Sequence, residues 1–347
     1  MSVDQVLLAA PRGFCAGVEM AIKALAVMVR AFPAPVYCYH EIVHNQEVVE
    51  RFEKLGVIFV DEIEDVPAGA PLMLSAHGSA PEVVDAAKAV GGYVVDSVCP
   101  LVTKVHHEVR VRAGKGYRII YVGHEGHEEA VGTMAVAPDD IHRVDSVEDV
   151  DALPDIDVPT ALLAQTTLSH RDWSAVADAA RTRFPDMWTP GRSDLCFATT
   201  NRQAAVSELA PRCDAIVVIG STNSSNTQAL AKMARELGCP SVFRVNRAEE
   251  LPNNLSGTVG VTAGASAPEE LVAEVVSFLN PTNGVVDVRV TEEEEYFPPP
   301  RQLRELLGAV TSFAAVTLGA PAIDGVGADR SIDASDVLYS MGQRAST

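Results

Sequence analysis

Short runs of apolar, β-branched residues alternate with stretches of helical periodicity from the start of the chain to about residue 290. Such runs are typical of strands buried in parallel sheets, and the stretches between them have the spacing of amphipathic helices. The pattern predicts strands at 6–9, 36–39, 57–60, 72–75, 93–96, 119–122, 161–164, 216–219 and 259–262. Strands that alternate with helices in this way predict an α/β fold built on parallel sheets.

The length and the positions of three cysteines predict how the chain is divided. A chain of 347 residues has room for two or three domains, at about 150 residues each. Cys15, Cys99 and Cys196 are separated by 84 and 97 residues, and each stands where a helix is predicted to begin. This repetition predicts three similar α/β domains in a pseudo-threefold arrangement around a shared centre. The predicted segments are 1–99, 100–193, 194–281 and a C-terminal segment, 282–347, which returns to the body and ends in a tail without an assigned role.

The regular pattern ends at the acidic run 292–295 and the prolines at 298–300. Beyond them, apolar residues recur at helical spacing, at Leu303, Leu306, Leu307, Val310, Phe313 and Ala314. The uncharged stretch 306–323 is almost long enough to span a bilayer, but threonine, serine, glycine and proline residues dilute it. We therefore expect an amphipathic helix that docks on the body of the protein or on a neighbouring subunit.

Composition and charge narrow the classes of partner. Apolar residues make up 47% of the chain, which is enough to build buried cores. The formal net charge of −20 repels nucleic acid backbones and anionic lipid surfaces, so neither is an expected partner. A small anionic substrate then needs a pocket built from local donors. The N-terminal residues lack the pattern of a signal peptide, which predicts a cytoplasmic protein with reduced thiols.

The six cysteines form two groups. The first group stands at predicted helix starts, where the partial positive charge of the helix stabilises thiolates: Cys15, Cys99 and Cys196. The second group has the contexts of buried packing residues: Cys38, Cys213 and Cys239. Three thiolates without a fourth favour an iron–sulfur cluster with one open iron over a structural zinc site, because structural zinc needs four protein ligands.

Polar loops follow several of the predicted strands. One set carries histidines, in HEIVHN, SAHGS and GHEGHEE, and another joins strand to helix through small residues, in GSTNSSN and TAGASAP. Loops of Gly, Ser and Asn that lead into a helix N-terminus hold phosphates through backbone N–H groups and hydroxyls. Open α/β sheets also bind ligands at the carboxyl ends of their strands. The pattern therefore indicates a diphosphate site.

One motif points elsewhere. His40, Glu41 and His44 spell H-E-x-x-H, the zinc peptidase signature. That signature requires a helix, on which both histidines share a face. Here the residues follow a predicted strand, so the match is expected to be accidental and a zinc peptidase remains only a remote alternative.

These motifs together resemble those of the 4-hydroxy-3-methylbut-2-enyl diphosphate reductases. The resemblance covers about residues 5–300 and rests on PRGFCAGV, HEIVHN, SAHGS, CPLVTKVH, GHEGHEE, VGTM, QTTLS, CFATTNRQ, GSTNSSN and TAGASAP. It implies an oxidoreductase of three α/β domains around a central 4Fe-4S cluster. It also implies that Cys15, Cys99 and Cys196 are the cluster ligands and that one iron stays open.

The resemblance implies roles for further residues. Those expected to contact the substrate are His44, His77, His127, Thr166, Ser224, Ser225, Asn226 and Ser266. Glu129 and Thr166 are expected beside the reacting hydroxyl, with His127 also in the catalytic set. Glu129 is the expected proton source, because burial beside an anionic ligand raises the pKa of a carboxyl. Its neighbours Glu125 and Glu128 match no position of the family.

The implied reaction is the last step of the non-mevalonate isoprenoid pathway. Two electrons and two protons remove the allylic hydroxyl, and the products are isopentenyl and dimethylallyl diphosphate. The implied electron donor is a ferredoxin or a flavodoxin, and the oligomeric state is left open. An iron–sulfur hydro-lyase also uses three cysteines and an open iron, so this class remains an alternative that needs no electron donor.

Overall fold

The computed structural model describes residues 2–318 and 328–344. It divides into two compact units. The larger unit comprises residues 2–14, Ser79–Pro81 and Leu101–Glu293, and the smaller unit comprises Cys15–Gly78, Glu82–Pro100 and the described residues from Glu294 onward.

The strands of the described part are β1 (Ser2–Ala10), β2 (Val36–Tyr39), β3 (Val57–Val60), β4 (Leu72–Leu74), β5 (Val94–Asp96), β6 (Arg118–Val122), β7 (Ile141–Val144), β8 (Thr160–Ala164), β9 (Ala215–Ile219), β10 (Val242–Val245), β11 (Ser256–Ala263) and β12 (Val285–Arg289). The α-helices are α1 (Ala16–Ala31), α2 (Gln46–Lys54), α3 (Pro81–Ala89), α4 (Pro100–Ala113), α5 (Glu128–Met134), α6 (Val147–Ala152), α7 (His170–Arg183), α8 (Phe197–Leu209), α9 (Ser225–Glu236), α10 (Glu269–Leu279), α11 (Arg301–Leu318) and α12 (Ala334–Arg344).

The strands form three sheets. The smaller unit contains a four-stranded sheet in the order β3-β2-β4-β5, and the larger unit contains a three-stranded sheet, β7-β6-β8, and a five-stranded sheet, β10-β9-β11-β1-β12. Every strand pair described in these sheets is parallel. The predicted α/β class with parallel sheets is therefore confirmed.

The five-stranded sheet is covered on both faces. On β9, Val217 and Ile219 face a core shared with α10, whereas Ile216 and Val218 face a second core shared with α8 and α9. All five residues of β9 are buried, as expected for a central parallel strand. Because the strands are parallel, the loops after β9 and β11 leave from the same edge of the sheet.

All nine predicted strands are present, and the described residues contain three further strands that the pattern does not predict. The unpredicted strands β7, β10 and β12 each lie at an edge of a sheet, and each is only partly buried. The first strand also pairs far along the chain, since β1 lies between β11 and β12. Residues 2–10 therefore belong to the sheet of residues 215–289, although the predicted segment 1–99 grouped them with β2–β5.

The described residues of the C-terminal segment include two α-helices, α11 and α12, both in the smaller unit. Helix α12 packs on α1 and buries Val337, Leu338 and Met341. In α11, Leu303 is fully buried, whereas Phe313 is 66% exposed. The predicted helix is thus present, with its apolar stripe buried at one end only. None of the described helices combines the length and the apolar character needed to cross a membrane, and residues 319–323 of the stretch considered above lie outside the described residues.

Candidate active site

Cys15 stands at the N-terminus of α1. It occupies the N-cap position with extended backbone (φ −94°, ψ 166°), and the helix begins at Ala16. The helix forms here because its apolar stripe is buried along its whole length, from Val18 to Met28. Its positive N-terminal end faces the cysteine and favours the thiolate over the thiol.

Gly17, in the first turn of α1, leaves space beside Cys15 for the sulfur atom of Cys99. A Cβ atom on Gly17 would lie 2.8 Å from Sγ of Cys99 and 3.9 Å from Sγ of Cys15. Both sulfur atoms therefore approach one point that only a glycine leaves open. Cys99 follows β5 and precedes α4, and its backbone N–H donates to the carbonyl of Ala76 at 3.0 Å, which ties it to the loop after β4.

Cys196 is the N-cap of α8, in the larger unit. Its Sγ accepts a hydrogen bond from the backbone N–H of Thr199 at 3.3 Å and lies 3.0 Å from the Thr199 hydroxyl. Both contacts stabilise negative charge on the sulfur. The backbone N–H of Cys196 donates to the carbonyl of Thr166 at 3.0 Å, so this cysteine is tied to the loop after β8.

The other three cysteines lie in cores. Cys38 is fully buried in β2, and Cys213 and Cys239 line the same apolar cluster of the five-stranded sheet. Burial raises the pKa of Cys213 to about 12 and also raises that of Cys239. The thiols of Cys213 and Cys239 therefore stay protonated near neutral pH, which suits packing rather than metal binding.

Glu129 and Thr166 form the most buried polar pair among the predicted residues. Glu129 is 2% exposed, and its carboxylate accepts two hydrogen bonds from Thr166. The backbone N–H donates to Oε1 at 2.7 Å, and the hydroxyl donates to Oε2 at 3.0 Å. Glu129 lies in the first turn of α5, and Thr166 follows β8, so neighbouring strands of one sheet bring them together.

Burial dominates the protonation of Glu129. Desolvation raises the pKa of its carboxyl from 4.5 to about 7, and the negative charge of Asp194 acts in the same direction. The hydrogen bonds from Thr166 oppose this shift without cancelling it. Glu129 therefore holds a proton in a large fraction of molecules at neutral pH.

His127 caps the same helix. Its Nδ1 accepts a hydrogen bond from the backbone N–H of Glu129 at 3.2 Å. In the neutral ring, the acceptor nitrogen carries no proton, so Nε2 is the donor nitrogen. The loop that supplies Glu129 thus also supplies a histidine with a defined donor atom.

His44 and His77 come together in the smaller unit. Their rings stack with centroids 3.8 Å apart and planes inclined by 13°. Each follows a strand, β2 or β4, and these strands are neighbours in the four-stranded sheet. Residues 40–44 are not helical, so the HEIVH match lacks the helix that a zinc peptidase requires, and that alternative is wrong.

The loop after β9 carries buried polar groups at the start of α9. Ser224 is the N-cap and accepts from the backbone N–H of Thr227 at 3.3 Å. Asn226 is 3% exposed, and neither Oδ1 nor Nδ2 of its amide has a hydrogen-bond partner among the described residues. Buried amides are nearly always paired, so this side chain is suited to a ligand.

Two glycines bring the loops after β9 and β11 close together. Cβ atoms on Gly220 and Gly264 would lie 2.5 and 2.0 Å from Oγ1 of Thr227, so larger residues do not fit. Gly220 also has φ +144°, a conformation that L-residues rarely adopt. The close approach places Ser266, which is 6% exposed, at the sheet edge that also holds Ser224 and Asn226.

Gln165 connects the loop after β6, the loop after β8 and the start of α9. The sequence alone assigns it no role. It is fully buried, its Oε1 accepts from the backbone N–H of His124 at 3.0 Å, and its Nε2 donates to the hydroxyl of Thr167 at 2.9 Å. Its Nε2 also lies 3.5 Å from Oγ of Ser225. The larger unit thus links Glu129, Thr166, Cys196 and Ser225 through short contacts, and the smaller unit pairs Cys15 with Cys99 and His44 with His77.

Comparison with known proteins identifies the family of the chain. The family model described as LytB protein matches residues 6–280. A 4-hydroxy-3-methylbut-2-enyl diphosphate reductase of Rhodopirellula baltica is 46% identical over 309 residues, which is 88% of this chain and 97% of that protein. A protein of the same name from Streptomyces coelicolor is 44% identical over 308 residues, covering 86% of this chain and 90% of the relative.

Solved structures give the same result. The E-1-hydroxy-2-methyl-but-2-enyl-4-diphosphate reductase of Plasmodium falciparum superimposes with a TM-score of 0.85 at 33% identity, over 89% of this chain and 99% of that one. A second structure is described as (E)-4-hydroxy-3-methyl-but-2-enyl diphosphate reductase, the terminal enzyme of the non-mevalonate pathway. It superimposes with a TM-score of 0.59 at 29% identity, over 80% of this chain and 99% of that chain. The chain therefore belongs to the LytB protein family, the family of the 4-hydroxy-3-methylbut-2-enyl diphosphate reductases.

Proposed function

We propose that the chain converts 4-hydroxy-3-methylbut-2-enyl diphosphate to isopentenyl and dimethylallyl diphosphate. The allylic C–O bond breaks, the oxygen leaves as water, and a C–H bond forms at one end of the allyl group. Two electrons and two protons balance the reaction. The relatives bear the name of this reductase, and the site of the larger unit supports the proton chemistry.

The observation that carries the proposal is the buried carboxyl of Glu129, 2% exposed and held at both oxygens by Thr166, where burial raises its pKa to about 7. Such a group holds a proton at neutral pH and releases it to a stronger base, which is the property of a general acid. When Oε2 of Glu129 carries the proton, the 3.0 Å contact reverses: Oε2 donates to the Thr166 hydroxyl, which can then pass its own proton onward. Glu129 and Thr166 thus form a two-residue path for protonating the departing hydroxyl or the allyl chain.

Three cysteines are proposed to hold a 4Fe-4S cluster: Cys15, Cys99 and Cys196. The donor set fits, because each thiol stands immediately before a helix and Gly17 leaves space between two of the sulfur atoms. The hydrogen bonds to Sγ of Cys196 favour a thiolate ligand in the same way. A bound cluster supplies electrons one at a time and an iron with an open coordination position.

The diphosphate is proposed to bind at the carboxyl edge of the five-stranded sheet. Ser224, Ser225, Asn226 and Ser266 supply hydroxyl and amide donors there. The N-terminus of α9 adds backbone N–H groups and partial positive charge. The unpaired amide of Asn226 supports this assignment, because a phosphate oxygen satisfies its Nδ2.

Three histidines complete the proposed substrate contacts. His127 donates from Nε2, since its Nδ1 already accepts from Glu129 N–H. His44 and His77 enter the proposal through the family resemblance and through their stacked rings. Imidazole N–H groups can donate hydrogen bonds to the phosphate oxygens, which supplies local donors in a chain whose net charge is −20.

A ferredoxin or a flavodoxin is the proposed electron donor, and the cytoplasm is the proposed location. None of the six cysteines, all of which lie in the described part of the chain, is in a disulfide, which is typical of a reducing compartment. The dependence on a donor also separates the proposed reductase from an iron–sulfur hydro-lyase, which transfers no net electrons.

The test is product formation by the anaerobically purified chain with and without a reduced low-potential dye. We expect isopentenyl and dimethylallyl diphosphate to form only when the reduced dye is present, with two electrons consumed for each product molecule. Conversion of the substrate without any reductant identifies a hydro-lyase and contradicts the proposal.

A further inference from the structure

Arg202 lies in α8, six residues after Cys196, and is fully buried. Its guanidinium makes hydrogen bonds with three parts of the larger unit. Nε and Nη2 donate to the carbonyl of Gly13 at 3.1 and 2.6 Å, and Nη2 also lies 3.4 Å from the carbonyl of Phe14. Nη1 donates to the carbonyl of Ala198 at 3.0 Å within the same helix.

Glu293 neutralises the charge of Arg202. Its Oε1 and Oε2 accept from Nη1 of Arg202 at 2.8 and 3.1 Å, and Oε1 also accepts from the side-chain amide of Asn201 at 3.0 Å. The side chain of Glu293 is 15% exposed, whereas Glu294 and Glu295 of the same acidic run are exposed. One member of a run that resembles a solvated stretch is therefore an internal counter-ion.

A buried guanidinium is costly unless its donors and its charge are satisfied. Here the donors are used mainly on the carbonyls of Gly13 and Phe14, the two residues before Cys15. Gly13 has φ +65°, so these carbonyls belong to a sharp turn that places the cysteine at the start of α1. Arg202 thus connects the turn before one proposed ligand with the helix that begins at another.

We propose that Arg202 is a positioning residue for the cluster ligands and that Glu293 acts as its counter-ion. The inference rests on the proposed function, since it assumes that Cys15 and Cys196 bind the cluster. The planar guanidinium can bind the Gly13 carbonyl and the Glu293 carboxylate together, whereas the ammonium of a lysine is a single point of contact. Loss of this geometry leaves the turn before Cys15 without its hydrogen-bond donors.

The test compares Arg202→Lys with Arg212→Lys. The control Arg212 follows the same helix, is 43% exposed in its side chain and pairs with Glu208. Iron and sulfide content, the rate of iron release to a chelator, and the electron paramagnetic resonance spectrum of the reduced cluster are measured on anaerobic protein. For Arg202→Lys we expect iron release to be faster by about 10- to 100-fold, the range typical of residues that orient metal ligands. We also expect an altered spectrum, and wild-type behaviour for Arg212→Lys.

Hydrogen exchange on the same samples adds a structural readout. The peptide that covers residues 11–17 should exchange faster in Arg202→Lys than in the wild type. A lower unfolding midpoint with unchanged iron release, spectrum and exchange would make Arg202 a core residue only and would overturn the inference. Wild-type values for all of these quantities would overturn it as well.

If Arg202→Lys does not fold, a second pair of variants tests the positioning role of Arg202. Glu293→Gln keeps an acceptor for Arg202 and removes only the counter-charge, and Glu295→Gln is its exposed control. Faster iron release in Glu293→Gln alone supports the inference, and equal rates in both variants overturn it. A wild-type chain that contains no iron and no sulfide contradicts the proposed function itself, a result distinct from equal rates in cluster-loaded variants.

Discussion

Thr166 holds both carboxylate oxygens of Glu129, with its backbone N–H 2.7 Å from Oε1 and its hydroxyl 3.0 Å from Oε2. Two such donors ordinarily lower the pKa of a carboxyl. Here burial outweighs them and raises the pKa to about 7. The carboxyl is therefore fixed in one geometry and still exchanges its proton near neutral pH, which a general acid requires.

The first prediction concerns the pH dependence of turnover. The raised pKa means that Glu129 is protonated below about pH 7 and ionised above it. With saturating substrate and excess reductant, kcat should be constant on the acid side and fall about tenfold per pH unit well above the pKa, because only the protonated form donates. In Glu129→Gln this inflection should be absent. Its persistence in that variant would assign the titration to another group.

The second prediction concerns the cysteines. Cys99→Ser removes a thiolate from the point that Gly17 leaves open, so the purified protein should lose most of its iron and sulfide. Cys213→Ser is the control, because the Cys213 thiol lies in a core and burial raises its pKa to about 12. Iron and sulfide analysis of anaerobic samples makes the comparison. Full cluster content in Cys99→Ser, or loss in Cys213→Ser, would reverse the assignment.

The third prediction concerns the diphosphate. Asn226→Ala removes the amide that has no partner among the described residues, so binding should weaken by about 1–3 kcal/mol. The loss should disappear for the unphosphorylated alcohol. Calorimetric titration of both compounds provides the measurement, with the exposed Asn253→Ala as control. Equal losses for the substrate and for its alcohol would place Asn226 away from the phosphates.

The fourth prediction separates the C-terminal helices from the chemistry. Leu338 is 2% exposed where α12 packs on α1, so Leu338→Ala should lower the free energy of unfolding by about 2–5 kcal/mol. Val316→Ala is the control, because Val316 is 86% exposed and surface changes usually stay within about 0.5 kcal/mol. Denaturant unfolding measures both variants, and turnover per folded molecule should match the wild type. A stable Leu338→Ala protein that has lost turnover would contradict this separation.

The sequence predicts those strands whose burial on both faces produces a continuous apolar run. Strand β9, AIVVI, is apolar throughout because both of its faces are covered, and it was predicted. The edge strands β7 and β10, IHRV and VFRV, contain polar or charged residues and are only partly buried, so their pattern was too weak. The place of β1 between β11 and β12 depends on contacts distant in sequence, which local periodicity does not encode.

The same limit applies to the site. Cys196, Glu129 and Asn226 stand at strand ends or helix starts, where loop composition indicates chemistry. Gln165 and Arg202 lie in the quoted motifs QTTLS and CFATTNRQ, but neither is assigned a role there, because a glutamine beside a threonine pair and an arginine in a helix are ordinary in sequence. Their importance comes from buried partners that only the folded chain brings near them.

Removal of the Glu129 proton tests the central claim most directly. Glu129→Gln keeps the size of the side chain but has no carboxyl proton to give, whereas Glu125→Gln changes a side chain that is 86% exposed. Both proteins are loaded with cluster, and single-turnover rates are measured with excess artificial reductant. The account predicts that Glu129→Gln binds substrate normally and is slower by about 10²- to 10⁴-fold, and that Glu125→Gln matches the wild type. Equal rates in the two variants would contradict the role of Glu129 as the acid.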